Sequence, residues 1–311
     1  MENLTWVIGH KNPDTDSICS ALAYAALKNE VTMEGFVAGR LGDVSPETQF
    51  VLDHFGVNAP ELLADGKDKM LILVDHNEVA QSVDNLNEGV IKEIIDHHKI
   101  GDVQTKEPIL FRNMPLGCTA TIIYMNYLEY DVKPAPAIAG LLCSAILSDT
   151  LAFRSPTCTK MDKMAAEELA GIAGIEDIQA YAKDMFAAGS NLAEKTEKEI
   201  FYLDFKKFTA GNTTYGVGQV TSMNADELAA LKGRMEKYMQ DTFAEHEADM
   251  LFFMLTDILE EGSELLCVGE GAVETAKAAF HPESTDRVYL PGAVSRKKQI
   301  IPQLTEVLEA K

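Results

Sequence analysis

The stretch that decides the fold is GHKNPDTDS at residues 9–17, which follows directly on the apolar run LTWVI at residues 4–8. The run is short and rich in β-branched and aromatic residues, so it predicts a buried strand. Asn12-Pro13 ends the strand, because proline has no N–H and restricts the residue before it. Apolar residues then recur at helical spacing, which predicts a helix that begins near Asp16 or Ser17, with one of these two as its N-cap.

The resulting strand-to-helix turn carries one imidazole, His10, and two carboxylates, Asp14 and Asp16. A neutral imidazole suits Mn²⁺, Fe²⁺, Co²⁺ or Zn²⁺, and carboxylates suit Mg²⁺ or Mn²⁺. Aspartates are also common in turns, and a histidine at a strand end is often structural. The turn alone therefore does not decide between a metal site and an ordinary turn.

Two further predicted strands end in the same way. The run at residues 69–74 leads into Asp75, and the run at residues 90–95 leads into Asp96-His97-His98. Because sites in parallel α/β sheets form outside the carboxyl ends of the strands, these side chains are expected to converge. The candidate metal ligands are two histidines and four carboxylates: His10, Asp14, Asp16, Asp75, His97 and Asp149.

This set is larger than one octahedral ion normally takes from protein, since such ions keep several waters. It fits two ions that share a carboxylate, and Asp75, which follows a central strand, is the expected bridge. Asp149 follows an apolar helix, where an aspartate is usually a cap, so periodicity alone does not make it a ligand. Among the other histidines, His98 adjoins His97 and could face a substrate. His76 is expected to point away from its neighbour Asp75. The other three lie in surface-like contexts and are interpreted as structural or solvated: His54, His246 and His281.

The composition is that of an ordinary globular protein, but the charge is strongly negative. The chain has 311 residues, 46% of them hydrophobic, and a net charge of −22. Such an acidic surface repels nucleic acids and anionic membranes. No segment is apolar over the length that spans a bilayer, and the N-terminus lacks a signal-peptide pattern. Five widely spaced cysteines without a CxxC pair predict neither a disulfide framework nor a zinc knuckle. We therefore expect a soluble, cytoplasmic protein that binds neither nucleic acid nor membrane.

The pattern of predicted elements changes along the chain. From residue 1 to 188, strands and helices alternate, which predicts a Rossmann-like α/β domain with a parallel sheet. Small and polar residues predict a linker at 189–195. From 196 to 311, two predicted hairpins and several helices indicate a smaller α+β domain with a mixed sheet. Within the first domain, residues 77–87 are expected to form a short helix and residues 99–115 a loop.

A cationic stretch in the second domain is the other candidate binding site. No acidic residue occurs between positions 287 and 305, where Arg296 and Lys297 lie. Arginine offers a planar fork to phosphate oxygens and lysine a compact charge, although charge runs often simply face solvent. Lys206 or Lys207, in a predicted hairpin, could join them. Strand alternation places these two lysines on opposite faces, and the sequence alone does not choose between them.

Taken in order, these motifs resemble a known family. The pattern HxNPDxDS at residues 10–17, Asp75, Asp96-His97-His98 and LSDT at residues 147–150 are similar to the four motifs of the DHH phosphoesterases. The SRKK run at residues 295–298 narrows the resemblance to family II, the manganese-dependent inorganic pyrophosphatases. The resemblance covers essentially the whole chain.

The resemblance implies an enzyme that hydrolyses diphosphate to two orthophosphates by attack of a hydroxide bridging two metal ions, without a phosphoenzyme. One ion would have three ligands: His10, Asp14 and Asp75. The other would have four: Asp16, Asp75, His97 and Asp149. The catalytic and substrate-binding residues would be His98, Lys206, Arg296 and Lys297, so that Lys206 is the implied choice between the two lysines.

The family also implies cofactors and an assembly. Two Mn²⁺ per subunit are expected, with Co²⁺ or Mg²⁺ as alternatives, and additional Mg²⁺ accompanies the substrate. The subunits would form a homodimer through the N-terminal domain. A DHH-family exopolyphosphatase is the nearest alternative, and its activity on tripolyphosphate would distinguish it. A nuclease of the superfamily is disfavoured, because its glycine-rich C-terminal motif with a histidine is absent. A non-catalytic protein that senses phosphate or metal is the alternative from another class.

Overall fold

The computed structural model describes residues 4–190, 192–282 and 288–310. It divides into two compact units, Met1–Gly189 (unit 1) and Ser190–Lys311 (unit 2). The last helix of unit 1 ends at Gly189, so the first residue of the predicted linker is helical, and Asn191 of that linker lies outside the described residues. None of the described helices has both the length and the apolar character that crossing a membrane requires.

Unit 1 is built on a six-stranded sheet, sheet A, in which every pair of neighbouring strands is parallel. This confirms the predicted Rossmann-like α/β fold. Its strands are β1 (Thr5–Ile8), β2 (Phe36–Arg40), β3 (Glu61–Leu62), β4 (Met70–Val74), β5 (Val90–Asp96) and β6 (Leu110–Asn113). They lie in the order β3-β2-β1-β4-β5-β6. The helices are α1 (Thr15–Val31), α2 (Pro46–Phe55), α3 (Thr119–Glu129), α4 (Pro136–Asp149), α5 (Lys160–Ala173) and α6 (Ile178–Gly189).

The turn between β1 and α1 differs from the prediction in one respect. The N-cap is Asp14, whose side chain accepts the N–H of Ser17 at 2.9 Å, so the prediction of Asp16 or Ser17 as the cap was wrong. The helix therefore begins earlier than predicted, at Thr15. A side chain at Gly9 would place its Cβ 1.9 Å from Oγ of Ser17, so only glycine allows the strand end to pass this close to α1.

Two segments of unit 1 were also predicted incorrectly. Residues 77–87 contain the short 3₁₀ turn Val79–Gln81 and the beginning of a second one, Leu86–Glu88, instead of one helix. The predicted loop at 99–115 contains β6, the edge strand of sheet A. Its four residues are exposed or half-buried, so it shows no alternation of apolar and polar residues from which a strand could be predicted.

Unit 2 contains the mixed sheet that was predicted, sheet B. Its strands are β7 (Phe205–Ala210), β8 (Thr213–Ser222), β9 (Met250–Asp257), β10 (Gly262–Val268) and β11 (Val288–Pro291). They lie in the order β11-β10-β9-β8-β7, with β8 and β9 parallel and the other pairs antiparallel. Its helices are α7 (Glu197–Tyr202), α8 (Ala225–Thr242), α9 (Ala272–Phe280) and α10 (Ile301–Glu309). Tyr202 ends α7, and residues 283–287, which precede β11, lie outside the described residues.

Both faces of sheet B are covered, and β9 shows why. Because side chains alternate along a strand, Phe252 and Met254 point to one face and Leu251 and Phe253 to the other. The first pair belongs to an apolar cluster with residues of α9 and α10. The second pair belongs to a separate cluster with residues of α7 and α8. A continuous apolar strand thus lies at the centre of unit 2, between two layers of helices.

Candidate functional site

The three strands that end in chemically active residues are neighbours in sheet A, with β4 between β1 and β5. His10 follows β1, Asp75 follows β4 and His97 follows β5. The middle position of β4 therefore places the Asp75 carboxylate between two imidazoles. The start of α1 adds Asp14 and Asp16, and the last residue of α4 is Asp149. All six predicted ligands come together at this edge of the sheet.

The six residues form two groups that share one member. In each group, ligand atoms from all residues lie within 4.8 Å of one another; the groups are His10, Asp14 and Asp75, and Asp16, Asp75, His97 and Asp149. Asp75 presents a different oxygen to each histidine: Oδ2 lies 3.4 Å from Nε2 of His10, and Oδ1 lies 3.4 Å from Nε2 of His97. Two ligands bonded at about 2.1 Å to one ion lie about 3.0–3.4 Å apart. These spacings are therefore those of ligands around a metal ion.

The backbone fixes which nitrogen of each histidine faces the carboxylates. Nδ1 of His10 lies 2.7 Å from the carbonyl oxygen of Lys11, and Nδ1 of His97 lies 3.0 Å from that of Leu116. A carbonyl only accepts, so Nδ1 carries the proton in both rings. The lone pair of the neutral ring is then on Nε2, which faces the cluster. Such a hydrogen bond behind the ligand atom is typical of histidines that bind metal.

The charges of the cluster also favour a bound cation. Burial, and then the charge of Asp75, raises the pKa of Asp16, while burial and the charge of Asp16 raise the pKa of Asp149. Burial also opposes ionisation of Asp75, but hydrogen bonds from the two histidines lower its pKa. Burial disfavours charged histidines, yet hydrogen bonds to carboxylates raise the pKa of His10 to about 11 and that of His97 to about 9. Without a metal, protons on the two imidazole rings thus supply the positive charge, and a bound Mn²⁺ would supply it in their place. A donor set of imidazoles and carboxylates also fits Mn²⁺.

His98 differs from its neighbour His97 in what its ring contacts. Its Nδ1 lies 2.9 Å from Oδ1 of Asp96, which also accepts the backbone N–H groups of both histidines. The same Nδ1 lies 3.8 Å from Oδ1 of Asp75. Ligand atoms of Asp75, His97 and His98 also lie within 4.8 Å of one another, so these residues form a third possible metal-binding group. The ring of His98 is half-exposed and lines a cavity of about 520 Å³ together with His10 and Asp75. It is therefore placed beside the cluster with Nε2 available.

The start of α3 contacts the cluster through residues that the sequence analysis did not identify. The N–H groups of Thr119 and Ala120 donate to the two oxygens of Asp16 at 2.7 and 3.0 Å. Oγ1 of Thr119 donates to Oδ1 of Asp75 at 3.0 Å. The first N–H groups of a helix have no partner within it, so a helix start favours carboxylates. The signal available in the sequence was the run of small and polar residues GCTAT at 117–121, which precedes an apolar run and is typical of a helix start.

A left-handed turn follows Asp149. Leu151, Ala152 and Phe153 have φ angles of 50°, 49° and 73°. Left-handed backbone costs a non-glycine residue about 1–2 kcal/mol. The hydroxyl of Thr150 helps to hold the turn, because it donates to the carbonyl of Ile146 and accepts the N–H of Phe153. Strained backbone thus lies next to one of the six candidate ligands.

The predicted cations lie in unit 2. Arg296 and Lys297 line a cavity of about 460 Å³. Arg296 is buried: Nη2 lies 2.6 Å from Oδ1 of Asp204, and Nη1 donates to the carbonyl oxygens of Asp204 and Val217. Its Nε is buried with no hydrogen-bond partner among the described residues. Lys206 lies on β7 and pairs in register with Val217, whose carbonyl oxygen accepts a hydrogen bond from Arg296.

The two lysines of β7 differ in their contacts. Nζ of Lys207 donates to the carbonyl of His246 at 3.0 Å, so this lysine takes part in the packing of unit 2. Neither Lys206 nor Lys297 forms an ion pair with any residue that the structure describes. His246 itself is buried, so its predicted surface context was wrong. His76 is also buried and hydrogen-bonded, to the carbonyl of Val74 and to Ser82.

The comparisons with known proteins agree with both units. Residues 5–146 match the family model "DHH family, N-terminal domain", and residues 183–307 match the model "DHHA2 domain". The chain is 49% identical to a "Probable manganese-dependent inorganic pyrophosphatase" of Clostridium acetobutylicum, with 100% of both chains covered. It is 45% identical to the "Manganese-dependent inorganic pyrophosphatase" of Methanothrix thermoacetophila, with 98% of both covered.

Solved structures show the same relationship. The first is a candidate family II inorganic pyrophosphatase from Methanococcus jannaschii, with 42% identity, a TM-score of 0.63, and coverage of 98% of this chain and 99% of the other. An exopolyphosphatase-related protein from Bacteroides fragilis, with 14% identity and a TM-score of 0.51 over 99% and 92% of the two chains, shares the fold alone. Sequence identity over the full length, rather than this shared fold, decides between the two groups. The chain belongs to the family of manganese-dependent (family II) inorganic pyrophosphatases.

Proposed function

We propose that the chain hydrolyses diphosphate to two orthophosphates, using two Mn²⁺ ions bound by unit 1. The observation that carries this proposal is the position of Asp75 between His10 and His97, with one carboxylate oxygen directed to each. A carboxylate placed in this way can bridge two ions about 3.5–4 Å apart, the arrangement used by many phosphate-cleaving enzymes. One set of ligands would be His10, Asp14 and Asp75, and the other Asp16, Asp75, His97 and Asp149.

Bound Mn²⁺ would lower the pKa of a coordinated water and neutralise charge on the phosphates. The protein's own groups hold the ligands in place for this chemistry. The carbonyls of Lys11 and Leu116 orient the two imidazoles, and Thr119 orients Asp16 and Asp75. Co²⁺ or Mg²⁺ could take the same positions, because carboxylate and imidazole donors accept all three ions. Additional Mg²⁺ would enter with the substrate as its counterion.

We further propose that four residues bind phosphate oxygens: His98, Lys206, Arg296 and Lys297. With Nδ1 of His98 held by Asp96, Nε2 is the ring atom left to meet a substrate. The buried and unpartnered Nε of Arg296 supports an anion in the cavity that Arg296 and Lys297 line. An orphaned buried donor is costly, and a phosphate oxygen would satisfy it. Because Lys207 is engaged with His246, Lys206 is the lysine of β7 that is available to substrate.

The test is a hydrolysis assay on the full-length chain after removal of metal with a chelator. Orthophosphate release from diphosphate should be absent without metal and restored by Mn²⁺, with two ions bound per chain by metal analysis. Tripolyphosphate serves as the second substrate, because preference for it would favour an exopolyphosphatase. Tight Mn²⁺ binding without hydrolysis of either substrate would favour a sensing protein instead.

A homodimer through unit 1 and a cytoplasmic location belong to the same proposal. The edge strand β6 supports the dimer, because Leu110 and Phe111 are exposed on it and Leu128 and Tyr130 are exposed beside it. Exposed apolar side chains on an unpaired strand edge mark sites of association. Phe111→Glu should convert a dimer to a monomer in light scattering, while Leu62→Glu on β3, the opposite edge, should not. The odd number of widely spaced cysteines supports a reducing location.

A further inference from the structure

Glu47, in the first turn of α2, is not a candidate ligand, but it contacts two residues that are adjacent in sequence to candidate ligands. Its Oε1 accepts a hydrogen bond from Oγ1 of Thr15 at 2.7 Å and another from Oγ of Ser148 at 2.6 Å. Thr15 lies between the candidate ligands Asp14 and Asp16, and Ser148 directly precedes Asp149. One carboxylate oxygen therefore joins the start of α1 to the end of α4, the two helix ends that carry three of the four candidate aspartates.

The hydroxyl groups around Glu47 all donate in its direction. Thr15 has one hydroxyl proton, which it donates in its hydrogen bond to Glu47. Thr48 must therefore be the donor in the 3.0 Å contact between the two threonines. Ser45 must then donate to Thr48, at 2.9 Å. Thr15 and Thr48 are fully buried, so without the carboxylate this chain of hydroxyls would have to reverse its direction, with Thr15 donating to Thr48 and Thr48 to Ser45. Hydrogen bonds to an ionised acceptor are also stronger than those between neutral groups.

Helix α2 has its own capping groups, none of which is Glu47. Ser45 already caps the helix by accepting the N–H of Thr48, Pro46 begins it, and Gly56 ends it in the left-handed conformation. Another carboxylate on the same helix, Asp53, is exposed, and its one side-chain hydrogen bond within the described part of the chain is accepted from Gln49. The two acidic side chains of α2 thus provide a comparison between a carboxylate that contacts the neighbours of ligands and one that does not.

We propose that Glu47 is a positioning residue of the metal centre, which holds the turn bearing Asp14 and Asp16 against the end of α4 bearing Asp149. The inference rests on the proposed function, because it assumes that these aspartates bind Mn²⁺. Groups that orient metal ligands from behind typically change metal affinity by about 10–100-fold when they are removed. Glu47 acts in this way on ligands from two helices at once.

The test is calorimetric titration of Mn²⁺ into the full-length, metal-stripped chain. Glu47→Ala should weaken Mn²⁺ binding by about 10–100-fold. Glu47→Gln should stay within a few-fold of the native chain, because its amide oxygen still accepts from both hydroxyls. Ser148→Ala should weaken binding by less than Glu47→Ala, and adding it to Glu47→Ala should have little further effect, since both remove the same bond. Asp53→Asn is the matched control and should bind like the native chain.

Several results would overturn the proposal. One is Mn²⁺ binding by Glu47→Ala within twofold of the native chain. Another is an equal loss in Glu47→Gln, which would assign the effect to charge rather than to the hydrogen bonds. If Glu47→Ala does not fold, Thr15→Val and Ser148→Ala keep the carboxylate and remove its donors, and undiminished Mn²⁺ binding by both would reject the role. A native chain that binds Mn²⁺ but cleaves no diphosphate would reject the proposed function, while the titrations would still decide the role of Glu47.

Discussion

The group of candidate metal ligands in unit 1 and the cavity lined by Arg296 and Lys297 in unit 2 differ in how their charges are balanced. In unit 1, burial raises the pKa of Asp16 and Asp149, which lie beside a third carboxylate, Asp75. Among the described residues, the ion-pair partners of Asp75 and Asp149 are histidines, and backbone N–H groups at the start of α3 donate to Asp16. In unit 2, the principal cation, Arg296, is already paired with Asp204.

The cluster in unit 1 therefore needs a bound cation to balance its charge. In unit 2, the carboxylate of Asp204 already takes part of the place that a bound anion would have. Buried carboxylates gathered without a cation are unfavourable, so a divalent ion should bind unit 1 tightly. In unit 2, Asp204 satisfies much of the guanidinium of Arg296, and an anion would gain from its Nε and from the two lysines without ion pairs. We therefore expect substitutions in unit 1 to act on metal binding and substitutions in unit 2 to act on the substrate.

The largest effect is expected for Asp75→Asn. One neutralised bridge weakens both metal sites, so both Mn²⁺ ions should be lost on dialysis. Loss of metal catalysis worth several kcal/mol should lower turnover by about 10³-fold or more. Asparagine tolerates the left-handed φ of 62° at this position, so the backbone should not change. Asp68→Asn, at an exposed residue with a φ of 57°, is the control and should keep two ions. Two Mn²⁺ retained in Asp75→Asn would contradict the bridge.

Arg296→Lys tests whether the paired arginine still serves a substrate. Lysine keeps the charge but lacks the planar fork, so kcat/KM for diphosphate should fall by about 10²–10³-fold. Mn²⁺ affinity should not change, because the substitution lies in unit 2. Lys298→Ala, two positions further on at an exposed residue, should behave like the native chain. Native kcat/KM in Arg296→Lys would mean that the arginine only packs against Asp204.

Substitutions of the neighbouring residues His97 and His98 should separate effects on metal binding from effects on catalysis within unit 1. His98→Gln should lower kcat by about 10²-fold while Mn²⁺ affinity stays within a few-fold, because Asp96 rather than the cluster holds its Nδ1. His97→Gln should weaken Mn²⁺ binding itself, since Nε2 of His97 faces Asp75 and Asp149. Titration of Mn²⁺ into both variants is the measurement. Equal loss of metal affinity in the two would abolish the distinction.

The smallest effect is expected for the lysines of β7. Lys206→Ala should lower kcat/KM by about tenfold, the value of one hydrogen bond to a charged group. Lys207→Ala should leave kcat/KM unchanged and slightly lower the melting temperature, because it removes the contact with His246. Steady-state kinetics and thermal unfolding of both variants provide the data. A larger kinetic effect of Lys207→Ala would reverse the assignment.

The sequence predicted the fold, and it predicted which six candidate ligands come together at the sheet edge, because both depend on short-range patterns. A strand followed by an aspartate or histidine places that residue at the sheet edge, wherever the strand lies. Asp75 lies between the other two strand ends because of the strand order, in which β4 lies between β1 and β5. The edge strand β6 was missed because pairing with β5, rather than any periodicity of its own, makes it a strand.

The residues behind the ligands were not predictable, because their contacts join distant parts of the chain. Thr119 and Asp16 are separated by 103 positions, and Glu47 and Ser148 by 101. Arg296 and the carbonyl of Asp204 are separated by 92. Which donor meets which carboxylate depends on how helices and strands pack, and periodicity carries no information about that. A cap or a first-turn glutamate has the same sequence pattern whether or not it contacts a site.

The left-handed turn at Leu151–Phe153 has a consequence for engineering this chain. Glycine at Leu151 or Phe153 would relieve unfavourable backbone, so selection for heat resistance alone would favour it. The same change would loosen the segment that follows Asp149 and would give its carboxylate more freedom. Thermostable variants obtained at these positions should therefore be slower catalysts. An industrial version of the chain is better stabilised at exposed positions remote from α4.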